Sequence, residues 1–153
     1  MKYNGLLWTE KVERREGRNC PSCGRFLKIY HRKLSSSMAY ALIRLYGLHA
    51  KFEKEYFHVR DFYRERGDFA KLKFWGLVEE APNMSEDKKS SGLWKITDQG
   101  IRFAILEIRV PEYVITKWGS EALGFAGPAV TIEQCLRKKF NYSELMGSML
   151  KEA

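Results

Sequence analysis

Two short segments constrain this chain more than any others. Leu72-Lys73-Phe74-Trp75-Gly76-Leu77-Val78-Glu79-Glu80 reads as the end of a helix, a glycine stop and the start of a strand. Gly92-Leu93-Trp94-Lys95-Ile96-Thr97-Asp98-Gln99-Gly100 reads as a returning strand that runs into a threonine cap and a new helix. Between them, residues 82–92 are polar and rich in Ser, Lys and Asp, as a loop would be. Gly76 lets the helix end tightly, Leu77 and Ile96 pack the small sheet, and Thr97 caps the helix that follows. A strand pair fed by a helix and returning into a helix places the chain in the α+β class.

The flanking sequence supplies the other elements. Residues 3–9 and 25–31 look extended around a turn-rich stretch, residues 17–24, and so predict a hairpin-like knuckle. Ser35, Ser36 and Ser37 offer helix N-caps, and Met38, Ala41, Leu42, Leu45, Tyr46 and Leu48 follow at helical spacing. That helix is expected to end near Gly47. Residues 59–65 predict a second short helix with Phe62 on its buried side. Gly67 breaks it, and Asp68 caps a third over residues 69–75. After Thr97, one helix face should carry Ile101, Ala104, Ile105 and Ile108. Residues 109–125 predict a second hairpin turning near Trp118, with residues 124–128 as loop. Thr131 caps a helix carrying Ile132, Cys135 and Leu136, and Ser143 caps a last turn or two. Cys135, alone between apolar neighbours, is a buried core thiol.

The order helix, helix, helix, strand, wing, strand, helix is the winged-helix plan, a helix-turn-helix variant. The two opening segments resemble the matching parts of winged-helix regulators. There a leucine precedes a Gly-Leu-Val step, and a Thr-x-x-Gly start follows the second wing strand. Residues 35–106 carry this resemblance. The whole chain also resembles small phage proteins with a Cys-Pro-x-Cys-Gly knuckle before such a core. The resemblance implies a DNA-binding regulatory protein whose third helix enters the major groove while the wing touches the backbone or minor groove. The groups it places on that surface are Arg64, Arg66, Lys71 and Lys73, with Lys88 and Lys89 in the wing. Only twenty residues run from Val59 to Val78, fewer than DNA-reading members usually spend. The third helix is therefore expected to be about two turns long. Winged helices also serve as protein-binding modules, and the alternative for Lys71 and Lys73 is a solvated helix face.

The charge is uneven along the chain. The net charge is +8, with nine Lys/Arg against three Glu in residues 1–34, twelve basic against ten acidic in residues 35–106, and six of each in residues 107–153. A basic, aromatic-interleaved N-terminus suits a nucleic-acid backbone, with Arg14, Arg15 and Arg18 as candidate contacts. The bland alternative is a hairpin with one packed and one solvated face. The alternation of Phe26, Lys28 and Tyr30 against Leu27, Ile29 and His31 does not decide which face is which.

Cys20-Pro21-Ser22-Cys23-Gly24 has the form of a zinc knuckle, in which two thiolates on a tight turn chelate one tetrahedral ion. No second Cys pair exists, so Cys20, Cys23 and His31 are the candidate ligands. His49, His58, Cys135 or a second copy of the chain would supply the fourth. The competing possibility is a knuckle turn without metal. A redox Cys-x-x-Cys is disfavoured because no strand-to-helix context follows.

The chain carries no nucleotide loop, no Gly-x-Ser-x-Gly elbow and no His-Glu-x-x-His, so it is not expected to be an enzyme. Three cysteines, no signal-like apolar run and no span-length apolar stretch predict a cytoplasmic protein without membrane contact. The organisation expected is a basic knuckle hairpin over residues 1–34, a winged-helix core over 35–106, and a hairpin-and-helix extension over 107–153. All three are expected to form one compact unit. Expected partners are double-stranded DNA or a host protein or nucleoprotein complex. A homodimer through the neutral aromatic tail is a third option, which an exposed Trp118 or Phe125 would favour.

Overall fold

The structure is a computed structural model that describes residues 1–9, 17–19, 22–52, 54–63, 68–83, 91–118 and 121–151. In chain order the elements are β1 (Lys2–Tyr3), β2 (Leu6–Thr9), β3 (Gly17–Asn19), β4 (Phe26–Lys33), α1 (Ser36–Lys51) and β5 (Phe57–His58). A 3-10 turn (Val59–Asp61) and a 3-10 helix (Asp68–Trp75) come next. Then follow β6 (Val78–Glu80), β7 (Leu93–Ile96), α2 (Asp98–Ala104), β8 (Val110–Lys117), β9 (Glu121–Val130), α3 (Ile132–Leu136) and α4 (Tyr142–Lys151). The fold is α+β. The chain divides into two units, Met1–Leu34 with Val110–Val130, and Ser35–Arg109 with Thr131–Ala153.

In the first unit the described strands form a sheet of order β1-β2-β9-β8-β4-β3. The N-terminal strands and the second hairpin thus share one sheet. The β3–β4 pairing, Gly17 with Lys28 through Asn19 with Phe26, makes a hairpin whose first arm is residues 17–19, expected as turn, while residues 6–9, expected as that arm, pair with β1 and β9 instead. Residues 124–128, expected as loop, instead lie within β9. Two glycines make this possible. A side chain at Gly124 would meet the Leu7 carbonyl oxygen at 2.8 Å, so glycine lets β2 come alongside. Gly127, at φ 88°, takes up the irregularity where β8 advances from Pro111 to Tyr113 while β9 goes from Ala129 to Ala126. Its carbonyl accepts from the Trp8 indole N–H at 2.9 Å. Val114 and Phe125 pair across strands and are fully buried.

The second unit holds a three-stranded sheet of order β5-β7-β6, with α1, both 3-10 segments, α2, α3 and α4. Ser35 caps α1, its hydroxyl accepting from the Met38 N–H at 3.3 Å. The helix runs on past Gly47 to Lys51, because Gly47 keeps helical φ and is buried, and the chain turns only at Phe52. The second and third helices are both 3-10 in form rather than α. Phe69, Leu72 and Trp75 are buried at a spacing of three, which matches the three residues per turn of a 3-10 helix.

The two opening segments interlock through backbone groups. Gly76 takes φ 74° and stops the 3-10 helix. The Thr97 hydroxyl donates to the Gly76 carbonyl at 2.6 Å and accepts from the Gly100 N–H at 3.0 Å. The Thr97 N–H donates to the Leu77 carbonyl at 3.1 Å, and the Gln99 side chain reaches the Trp75 carbonyl at 3.2 Å. One threonine therefore closes the helix before it and starts the helix after it. α2 then ends at Ala104, since Leu106 turns left-handed at φ 68°. Phe103 is its large buried side chain, while Ile101, Ile105 and Ile108, expected on the buried face, are half-exposed. Thr131 and Gln134 exchange side chain–backbone bonds at the start of α3, where Cys135 is buried. Asn141, not Ser143, caps α4, its side chain accepting from the Glu144 N–H at 2.9 Å. Among the described residues no helix is long and apolar enough to cross a membrane.

Candidate nucleic-acid interface

The sequence places candidate contacts on the third helix, the wing and the basic N-terminus. The 3-10 form of Asp68–Trp75 sets what that helix can present. Three residues per turn sort its side chains into three columns. Phe69, Leu72 and Trp75 fill the buried one, Ala70 and Lys73 face solvent, and Lys71 with Phe74 lie half-exposed. Lys73 Nζ sits 5.6 Å from the Phe74 ring centre, an approach that steadies the ammonium without neutralising it. The helix thus offers two cations and no other polar side chain beyond its first residue. Lysines act mainly as point charges toward phosphate, and the strongest bidentate base readers, Arg, Asn and Gln, do not occur on this helix. Arg64, Arg66, Lys88 and Lys89 lie outside the described residues.

At the base of the expected wing, Ser91 donates to the Ala81 carbonyl at 2.8 Å and accepts from the Leu93 N–H at 3.3 Å. Glu79 and Glu55 flank Lys95, whose Nζ lies 3.7 and 3.1 Å from their carboxylates. The hydrogen bond that Lys95 donates to the Glu55 carboxylate is the main reason its pKa is raised. Lys95 is committed to these acids rather than to an outside anion.

In the first unit, β4 resolves the alternation that the sequence leaves open. Ile29 is buried, while Lys28 is exposed and Tyr30 and Arg32 are partly exposed. Lys28, Tyr30 and Arg32 point to one side of the strand. The Lys28 ammonium lies 5.2 Å and the Arg32 guanidinium carbon 4.5 Å from the Tyr30 ring centre. Arg32 Nε is buried with no hydrogen-bond partner among the described residues, so the ring face is its main support. Across the sheet, the Trp118 N–H donates to the Lys28 carbonyl at 2.7 Å. Trp118 stands at the hairpin turn at φ 52°, is 53% exposed, and has Lys117 Nζ 5.1 Å from its ring centre. Phe125, the other aromatic named for an interface, is fully buried. The Lys28-x-Tyr30-x-Arg32 alternation was the sequence signal for this array, and only the burial of Ile29 turns it into a face. Arg18 has its backbone in β3, paired with Leu27. Arg14 and Arg15 lie outside the described residues.

Of the candidate metal ligands, the described Cys23 and His31 stand apart. Cys23 is exposed and free, in the turn between β3 and β4. His31 lies in mid-sheet, paired with Ile115, five strand positions beyond Phe26 where the turn closes. At ~3.3 Å per residue that is about 16 Å along the strand. Zinc ligand atoms must all lie within about 2.3 Å of the ion, so His31 is not a partner for Cys23. Cys20 lies outside the described residues. Of the other ligands considered, Cys135 is buried in its helix, and His58 Nδ1 accepts from the Arg60 N–H at 3.2 Å. No group of three His, Cys, Asp or Glu side chains that could hold a metal ion occurs among the described residues.

No protein family, curated protein or solved structure matches the chain.

Proposed function

We propose that the chain is a DNA-binding regulatory protein on a winged-helix scaffold, holding duplex phosphates with little base readout. The observation that carries this reading is the element order of residues 35–106. A helix, two short helical segments, a strand, a polar loop, a returning strand and a helix follow one another, with Thr97 joining the last two helical segments. Lys71 and Lys73 then sit on the helix that would face DNA. The excess positive charge of residues 1–34, with the exposed Lys28 and Trp118 of the first unit, adds sequence-independent affinity. Bidentate side chains are absent from the solvent column of the 3-10 helix, which is why phosphate contacts dominate.

A fluorescence titration of a labelled mixed-sequence duplex at low and near-physiological salt tests this. Binding should weaken with salt, and reversal of both lysines (K71E/K73E) should reduce the slope of log K against log salt by about 2. No binding at low salt would overturn the proposal. A slope unchanged by the reversal would remove the third helix from the contact.

The second reading is a protein-binding adaptor or inhibitor that targets a host nucleoprotein complex. The 3-10 form of the third helix favours it, because a solvent column of only Ala70 and Lys73 is a poor reading head. Failure of the duplex titration, with a folded protein, would move the assignment there.

A further inference from the structure

We propose that α1, the residues after β5 and Phe140 form a site for a nucleotide-sized aromatic phosphate, a class of ligand distinct from duplex DNA. The cleft lies wholly in the second unit and encloses about 360 Å³. That is the lower end of the range for small-molecule sites, the scale of one nucleotide rather than two. One wall is a stripe of α1, where Ser37, Tyr40 and Arg44 recur at helical spacing and so project together. The other wall is Arg60, Asp61 and Tyr63, held in place by the 3-10 turn that His58 caps.

The lining has two chemical halves. Its aromatic half is Tyr40 stacked on Phe140, ring centres 4.6 Å apart and 19° from parallel. Its polar half carries two guanidiniums, Arg44 and Arg60, against one carboxylate, Asp61. Among the described residues neither guanidinium is paired with a carboxylate. Arg44 instead rests near the Tyr40 ring, 5.9 Å from its centre. The cleft is therefore net positive beside an aromatic wall. A planar ring bearing a phosphate matches both halves at once. The ligand ring packs against the edges of the stacked pair, whose outer faces carry Arg44 and Lys139, the phosphate accepts forked hydrogen bonds from arginine, and the Ser37 hydroxyl donates to a phosphate oxygen. Asp61 is left to accept from a ribose hydroxyl or a base amino group. None of the residues assigned to duplex DNA takes part, so this site stands or falls separately.

Isothermal titration of the full chain with adenosine, the four nucleoside monophosphates, inorganic phosphate and a 5′-phosphorylated pentanucleotide tests the site. At least one monophosphate should bind about tenfold more tightly than adenosine or phosphate, and R60Q and R44Q should each weaken it about tenfold. Arg60 is exposed, so R60Q keeps the test valid if R44Q unfolds. A monophosphate that binds more tightly than the pentanucleotide assigns the site to free nucleotides. The reverse order, still sensitive to R60Q, assigns it to a strand end. No heat from any monophosphate at millimolar concentration, phosphate alone binding equally well, or binding indifferent to R60Q would overturn the proposal.

Discussion

Replacing Gly100 with alanine separates local helix preference from tertiary fit. By propensity alone the change should help, because glycine inside a helix costs about 1 kcal/mol relative to alanine. The structure gives the opposite sign. A Cβ on Gly100 would stand 2.1 Å from the Leu77 carbonyl oxygen and 2.8 Å from Ile96 Cγ1. The carbonyl cannot simply yield, since it accepts the Thr97 N–H at 3.1 Å, and the Gly100 N–H is itself held by the Thr97 hydroxyl. Overpacking at a closed site costs about 1–3 kcal/mol, and a broken hydrogen bond about 1 kcal/mol more. After the propensity gain, the net loss should be about 2 kcal/mol. Urea unfolding followed by circular dichroism should shift the midpoint down by roughly 1 M at an unchanged slope near 2 kcal/mol/M. Gly147, in α4, is the control: nothing lies within 4 Å of its Cβ position, so G147A should raise stability by about 0.5–1 kcal/mol. A G100A variant as stable as the parent, or the same sign for both variants, would refute the reasoning.

Three other outcomes are expected. S35A removes the acceptor for the Met38 N–H and should cost about 1 kcal/mol in the same unfolding assay. W118A, at an exposed turn, should change stability by less than about 0.5 kcal/mol but weaken duplex binding, and light scattering of both proteins tests whether Trp118 serves a dimer instead. Burial, with smaller contributions from Tyr46 and Glu133, raises the Tyr142 pKa above its ordinary 10.0, and its hydroxyl donates to the Ala104 carbonyl at 2.6 Å. The folded state holds this proton longer than the unfolded one, so its contribution is complete below pH 10 and is lost as the pH rises toward the folded pKa. The stability gap between wild type and Y142F should therefore narrow above about pH 10, and a constant gap would count against it.

Local punctuation made much of this fold legible. Ser35, Thr97 and Thr131 cap the helices they were expected to cap, because a hydroxyl before an apolar periodic run satisfies orphan N–H groups whatever the tertiary context. Glycines were harder to interpret. Gly76 stops a helix, but Gly47 continues one, and Gly124 and Gly127 sit inside a strand. A glycine marks freedom of the backbone, and what the chain does with it depends on neighbours far away in sequence. Leu7, which needs the space at Gly124, is more than a hundred residues distant. The sheet that joins the N-terminal strands to the second hairpin is illegible for the same reason, since nothing local pairs Trp8 with Phe125.

The candidate interface divides along the same line. The spacing Phe69, Leu72, Trp75 is a period of three, and the helix expected over residues 69–75 takes the 3-10 rather than the α form, which this period fits. That difference has a functional consequence. At ~3.6 residues per turn the polar positions of a helix spread over a broad arc, but at ~3.0 they stack in columns about 6 Å apart along the axis. The solvent column here holds Ala70 and Lys73 alone, with Lys71 at its flank. Such a surface can sit on a phosphate row, and its base reading is limited to a lysine toward a guanine edge and the Ala70 methyl toward a thymine methyl. Further sequence selectivity must then come from the deformability of the DNA or from groups outside this helix.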